Sequence, residues 1–246
     1  ISSEGGNPVR LLIFNIIGFI FVVLINFLAN YLPINGKGTG EISDSLPVLF
    51  TPAGYVFSIW ILIYVLLGIW VLRQIPKSRR NEAVYNVSFP WFLLTCLFNG
   101  SWILVWHYEL FTLSVIVMIA LLLSLIILYT KIKSVEHTWL DRAPFSIYLG
   151  WISVATITNI AFVLTDIGWN GFGLSDPVWT IIMMFVAAIL AITFRIKNYD
   201  WLYPLVFVWS FIGIAVKNSD LGNGIPIFAY SLAALIFIVS IYPWKR

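Results

Sequence analysis

The chain has 246 residues, 61% of them hydrophobic and only 10% charged. A water-soluble domain carries about 25% charged residues, so this composition excludes an ordinary soluble protein and makes the lipid bilayer the solvent. The formal charge of +3 comes without a basic patch, which argues against a nucleic-acid partner, and a single cysteine, Cys96, allows no internal disulfide.

A helix needs about 20 apolar residues to cross the hydrocarbon core. Eight segments qualify as candidates: roughly 11–31, 53–73, 89–107, 110–131, 144–165, 177–195, 201–217 and 225–243. The predicted fold class is therefore all-α, a polytopic transmembrane helix bundle of about eight spans. The first span is too long for a signal-peptide core and no A-x-A site follows it, so no cleavable signal is predicted. It places Asn15, Asn26 and Asn30 within about 60° of one another on the helical wheel. A long loop follows, with Asn35-Gly36 suited to a turn and prolines at 47 and 52.

The second span sets Phe57, Trp60, Tyr64 and Gly68 on one stripe, and the third sets Asn99, Trp102 and Trp106 on another. Only His107-Tyr108-Glu109 separates the third span from the fourth, which predicts a tight helical hairpin. The fifth carries Trp151, Ala155, Thr158 and Asn159 on one face, and the seventh is the shortest. Two readings of these polar and aromatic stripes stay open. They are hydrogen-bonding and small-residue glue between helices, or the lining of an aromatic cavity with a few polar groups that orient a flat apolar ligand.

Every Lys, Arg, Asp and Glu falls outside the span centres, where a charge is costly. Arg73, Lys77, Arg79, Arg80, Lys131, Lys133, Arg142, Arg195, Lys197 and the tail Lys245-Arg246 lie in alternate connections. The positive-inside bias predicts an integral multi-pass protein with both termini cytoplasmic.

Several chemistries find little support. GKGTG at 36–40 lacks the Walker spacing and its strand–helix context, so it reads as a flexible turn. His107 and His137 belong to no cluster of metal ligands, and no metal site is predicted. His107, at the mouth of the third span, is retained only as a candidate axial ligand to a haem. No hydrolytic triad or carboxylate pair sits at membrane depth, and the absence of intramembrane acids argues against a proton-coupled pump.

The stretch L-P-V-L-F-T-P-A-G-Y-V-F-S-I-W-I-L-I-Y keeps Pro47, Pro52, Trp60 and Tyr64 in a spacing similar to that of the TspO/MBR family, the tryptophan-rich sensory and translocator proteins. C-L-F-N-G-S-W resembles the family's third helix at Phe98 and Asn99. Y-L-G-W-I-S-V-A-T-I-T-N resembles its fifth at Tyr148, Trp151, Ala155, Thr156 and Asn159. The resemblance covers roughly residues 10–170. It implies a TspO-like five-helix core over 1–170 with a lid loop at 32–52, and three further transmembrane helices over 171–246 without a counterpart.

The resemblance further implies a pocket for a tetrapyrrole, porphyrin or haem, with no cofactor built in. Its ligand-binding residues are expected at Trp60, Tyr64, Asn99, Trp102, Trp106, Trp151, Ala155 and Asn159, and its lid at Pro47, Phe50, Pro52 and Gly54. The family's W-Y pair before the lid prolines is absent, and Ile160 stands where some members have a reactive tryptophan. Light-dependent porphyrin degradation, the one enzymatic activity the resemblance brings, is therefore not expected. The expected function is a membrane receptor, sensor or carrier for a flat hydrophobic small molecule. The alternatives are a structural or accessory subunit of a larger membrane complex, and a passive small-solute transporter. The expected partners are the lipid bilayer, the small-molecule ligand, and a second copy of the chain or another subunit of a membrane complex.

Overall fold

The computed structural model describes residues 7–32, 34–222 and 224–243. Lys245 and Arg246, part of the charge pattern above, lie outside the described residues. Those residues form eight long helices and no strand. The helices are α1 Pro8–Tyr31, α2 Ile59–Leu72, α3 Ala83–His107, α4 Phe111–Lys133, α5 Trp139–Asp166, α6 Asp176–Asn198, α7 Leu202–Lys217 and α8 Ile225–Ile241. A 3-10 turn, Gly54–Ser58, leads into α2, and a short helix Thr39–Ser43 lies in the loop before it. With its leading turn, α2 is one of six helices long and apolar enough to cross a membrane; α7 and α8 are shorter.

Two helices begin earlier than the apolar pattern predicted, because Pro90 and Pro144 lie inside α3 and α5 rather than at their starts. At α5 the cause is the Asp141 side chain, which reaches back over the helix start. The Asp141 carboxylate accepts from the backbone amides of Thr138 (3.0 Å) and His137 (3.2 Å), which satisfies donors the helix start would otherwise orphan.

The chain divides into two compact units. One holds residues up to Thr39 with Trp60–Leu149, the other Gly40–Ile59 with Gly150 onward. In the first, Trp70 is the centre of an aromatic core, with ring centroids 5.1 Å from Tyr85, 5.3 Å from Phe92 and 5.1 Å from Phe145. Small residues let α1 and α3 approach, as expected where lipid offers no hydrophobic drive between helices. A Cβ on Gly100 would come within 2.6 Å of the Phe21 ring. Fully buried Asp141 pairs with Arg73 at 3.1 Å and Arg79 at 3.3 Å, so its charge is matched where water cannot reach it.

In the second unit, α6, α7 and α8 pack together. Buried Arg195, in the last turn of α6, donates to the carbonyls of Ser240 (3.0 Å) and Tyr242 (2.9 Å) at the end of α8. These are helix-end carbonyls that no intrahelical amide reaches. Tyr203 stacks on Phe194 at 3.8 Å and donates its hydroxyl proton to Ser153 of α5 at 2.9 Å.

Candidate ligand-binding site

The expected site residues fall to both units. In the first unit Asn99 is buried and sits in the middle of a hydrogen-bonded chain. Its Oδ1 accepts from Asn26 at 2.7 Å, and its Nδ2 donates to the Tyr148 hydroxyl at 2.7 Å. Asn26 spends its other amide proton on the Val22 carbonyl at 2.9 Å. This chain ties α1, α3 and α5 together at membrane depth, so Asn99 acts as glue between helices. The aromatic residues near it are also matched within the unit. Trp60 stacks on Tyr64 at 5.4 Å and meets Tyr148 edge-on at 5.7 Å, and Trp102 stacks on Trp106 at 5.3 Å.

His107 is fully buried rather than solvated at a helix mouth. Its Nδ1 lies 3.1 Å from the Ile34 carbonyl, which can only accept, so Nδ1 carries a proton. Its Nε2 lies 2.9 Å from the Thr39 hydroxyl. The Asn35 side chain donates to the His107 carbonyl at 3.1 Å, and Lys37 pairs with Glu109. Both ring nitrogens are thus used to fasten residues 34–39 onto the end of α3, and neither points a lone pair at a metal. Among the described residues no cluster of metal ligands occurs.

In the second unit Trp151 is buried and meets Phe57 edge-on at 5.6 Å; Asn159 is buried and Ala155 half-buried. The expected lid residues do not act alike. Phe50 and Pro52 are buried, while Pro47 and Gly54 are exposed.

What holds this segment is α7. Trp209 donates its indole proton to the Val56 carbonyl at 3.1 Å, and the Ala53 amide donates to the Gly213 carbonyl at 3.1 Å. Asn218 donates to the Leu49 carbonyl at 3.0 Å, and Lys217 pairs with Asp44. Gly213 is required for this approach, because a Cβ there would lie 2.2 Å from Val56 Cγ2. Trp209, Gly213 and Lys217 recur every four residues and form one face of α7. Sequence reasoning left both this helix and Asp44 without a role.

Two cavities flank the docked segment, and Pro47, Val48 and Leu49 wall both. The larger, about 470 Å³, lies against Lys217, Asn218 and Asp44. The smaller, about 280 Å³, is bounded by Ile157, Ile160, Ala161 and Leu164 of α5, by Met183 of α6, and by the indoles of Trp169 and Trp179. Those four α5 residues sit at i, i+3, i+4 and i+7. At 100° per residue they lie roughly opposite the Trp151–Asn159 stripe. The periodicity was available in the sequence, but an apolar stripe on a membrane helix cannot by itself be told from a lipid-facing one.

The loop between α5 and α6 builds the aromatic wall. The Trp169 amide turns back to the Leu164 carbonyl at 2.9 Å, and the Trp179 indole donates to the Gly171 carbonyl at 2.6 Å. Gly171 has φ +63 and sits 3.0 Å, measured from where a Cβ would be, from the Trp179 nitrogen. Both its conformation and its bareness suit that contact. The two indoles then lie 5.1 Å apart at 54°.

A family model described as TSPO-like protein matches residues 12–242. The chain belongs to the TSPO-like protein family. The match runs through α6, α7 and α8. No curated protein and no solved structure matches the chain. As a TSPO-like protein with six helices long and apolar enough to span, it is a multi-pass membrane protein of a sensor or binding type.

Proposed function

We propose that this TSPO-like protein is a membrane receptor or carrier that binds a flat hydrophobic ligand in the cavity beside residues 47–49. The observation that supports the reading is that cavity itself. It is apolar along α5, aromatic at Trp169 and Trp179, and walled by a loop segment that α7 holds in place. Stacked aromatic contacts contribute about 0.5–1.5 kcal/mol each beyond area burial. Two indoles therefore add about 1–3 kcal/mol to what burial against the aliphatic wall supplies for a compact aromatic molecule. Tetrapyrroles are the ligand class that the family resemblance brings to this reading. The cavity, about 280 Å³, lies just below the ~300–1,000 Å³ usual for small-molecule sites.

The test is tryptophan quenching and ligand absorbance with the purified protein in lipid nanodiscs, using protoporphyrin and a series of smaller flat aromatics. Binding at micromolar concentration that Ala161→Phe abolishes by filling the cavity supports the reading. A shifted Soret band that Trp169→Phe or Trp179→Phe weakens supports the tetrapyrrole class. No quenching by any ligand overturns the receptor reading, and binding of the small aromatics alone removes the tetrapyrrole.

A further inference from the structure

The wall of the smaller cavity is unbalanced in its polar groups. Its side-chain donors are mostly spent inside the protein. The Thr165 hydroxyl donates to the Ala161 carbonyl at 3.0 Å and the Thr180 hydroxyl to the Asp176 carbonyl at 2.8 Å. The Trp179 indole proton goes to Gly171. That leaves the Trp169 N–H as the side-chain donor still available among the lining residues. No lysine, arginine or histidine lines the cavity. Asp176 does, and its carboxylate makes no ion pair and no hydrogen bond with any described residue.

Its position in the first turn of α6 explains why a carboxylate is tolerated there, since the amide dipoles favour a negative charge. Asp176 is exposed, so its carboxylate borders the cavity within reach of water, beside the two half-buried tryptophans. The faces of Trp169 and Trp179 carry the negative side of their quadrupoles, and the threonine oxygens add lone pairs. The cavity lining therefore presents acceptors, π-faces and one negative side-chain charge, and no cationic side chain.

We infer that the ligand of this cavity is an amphiphilic organic cation, an ammonium attached to a flat apolar body, with the charge placed among Asp176, Trp169 and Trp179. This rests on the receptor reading above and narrows it. The aliphatic α5 wall takes the apolar body, and the aromatic end takes the charge. A ligand whose polar end is a carboxylate would meet Asp176 instead.

The experiment compares two isosteres, benzyltrimethylammonium and neopentylbenzene, which differ only in a charged nitrogen for a carbon. Binding to the full chain in zwitterionic lipid nanodiscs is read by tryptophan fluorescence and equilibrium dialysis. The cation is expected to bind about tenfold more tightly than its isostere, and added salt should weaken only the cation. Asp176→Asn should remove that preference while leaving the isostere unchanged, and Asp176→Glu should keep it. Equal affinity for the two probes, or a preference that survives in Asp176→Asn, overturns the charge assignment and leaves the hydrophobic receptor reading intact. Failure of both probes and of the flat aromatics overturns both.

Discussion

Gly213→Ala tests the docking of the loop on α7. The added methyl would lie 2.2 Å from Val56 Cγ2 and 3.1 Å from Pro52 Cβ. Val56 is fully buried and β-branched, so it cannot swing aside. Overpacking of this kind costs about 1–3 kcal/mol. Loss of the Ala53–Gly213 bond, 3.1 Å in the wild type, puts a further ~1 kcal/mol at risk. Alanine also favours the helix over glycine by about 1 kcal/mol. That gain is present whether the loop is docked or free, so it cancels from the docking equilibrium. Loop opening should shift by about 2 kcal/mol, roughly 30-fold at 1.4 kcal/mol per decade. Hydrogen exchange in nanodiscs reads this directly at the Ala53 and Val56 amides, with α3 amides as internal control. Val56→Ala in the Gly213→Ala background deletes the clashing methyl and should restore most of the protection. Protection within about threefold of wild type in the single variant, or no rescue in the double, would refute the close-approach argument.

Two further outcomes follow from the first unit. Asn99→Leu leaves the Asn26 amide proton and the Tyr148 hydroxyl unmatched. Interhelical hydrogen bonds in membranes average about 0.6 and reach about 1.7 kcal/mol, so unfolding in a denaturing-detergent titration should show a loss of about 1–3 kcal/mol. Ligand affinity in the second unit's cavity should stay unchanged, and a fall in affinity at unchanged stability would make Asn99 a ligand orienter instead. His107→Ala frees residues 34–39 from the end of α3, so tryptic cleavage after Lys37 should accelerate, with His107→Gln intermediate. An unchanged cleavage rate would show that the Lys37–Glu109 pair and the Asn35 bond suffice to hold the loop.

The membrane class and all eight helices were legible because they depend on composition and on apolar run length, which are properties of local sequence. The family was legible from short motifs around Trp60, Asn99 and Trp151. The helix starts at Ala83 and Trp139 were not, because Asn86 and Ser88 in one case and Asp141 and Arg142 in the other interrupt the apolar run. At α5 the T-x-x-D spacing of Thr138 and Asp141 was the signal to read. Asn99 shows the limit of motif reasoning. The same residue on the same face serves a ligand or a neighbouring helix, and only the positions of Asn26 and Tyr148 tell which role the structure gives it.

By itself the sequence determined that this chain is an α-helical membrane protein, since too few charges and too many apolar residues leave no other solvent, and its short motifs carried the family resemblance. Tertiary structure decided which residues meet. It turned His107 from an exposed candidate ligand into a buried clasp and set a small cavity on the far side of α5 from the expected stripe. It also gave α7 the task of holding the loop. Trp209 and Val56 are 153 residues apart, and Gly213 is informative only once Val56 is known to lie against it. Pairings across such distances follow from how helices pack, which local periodicity does not encode.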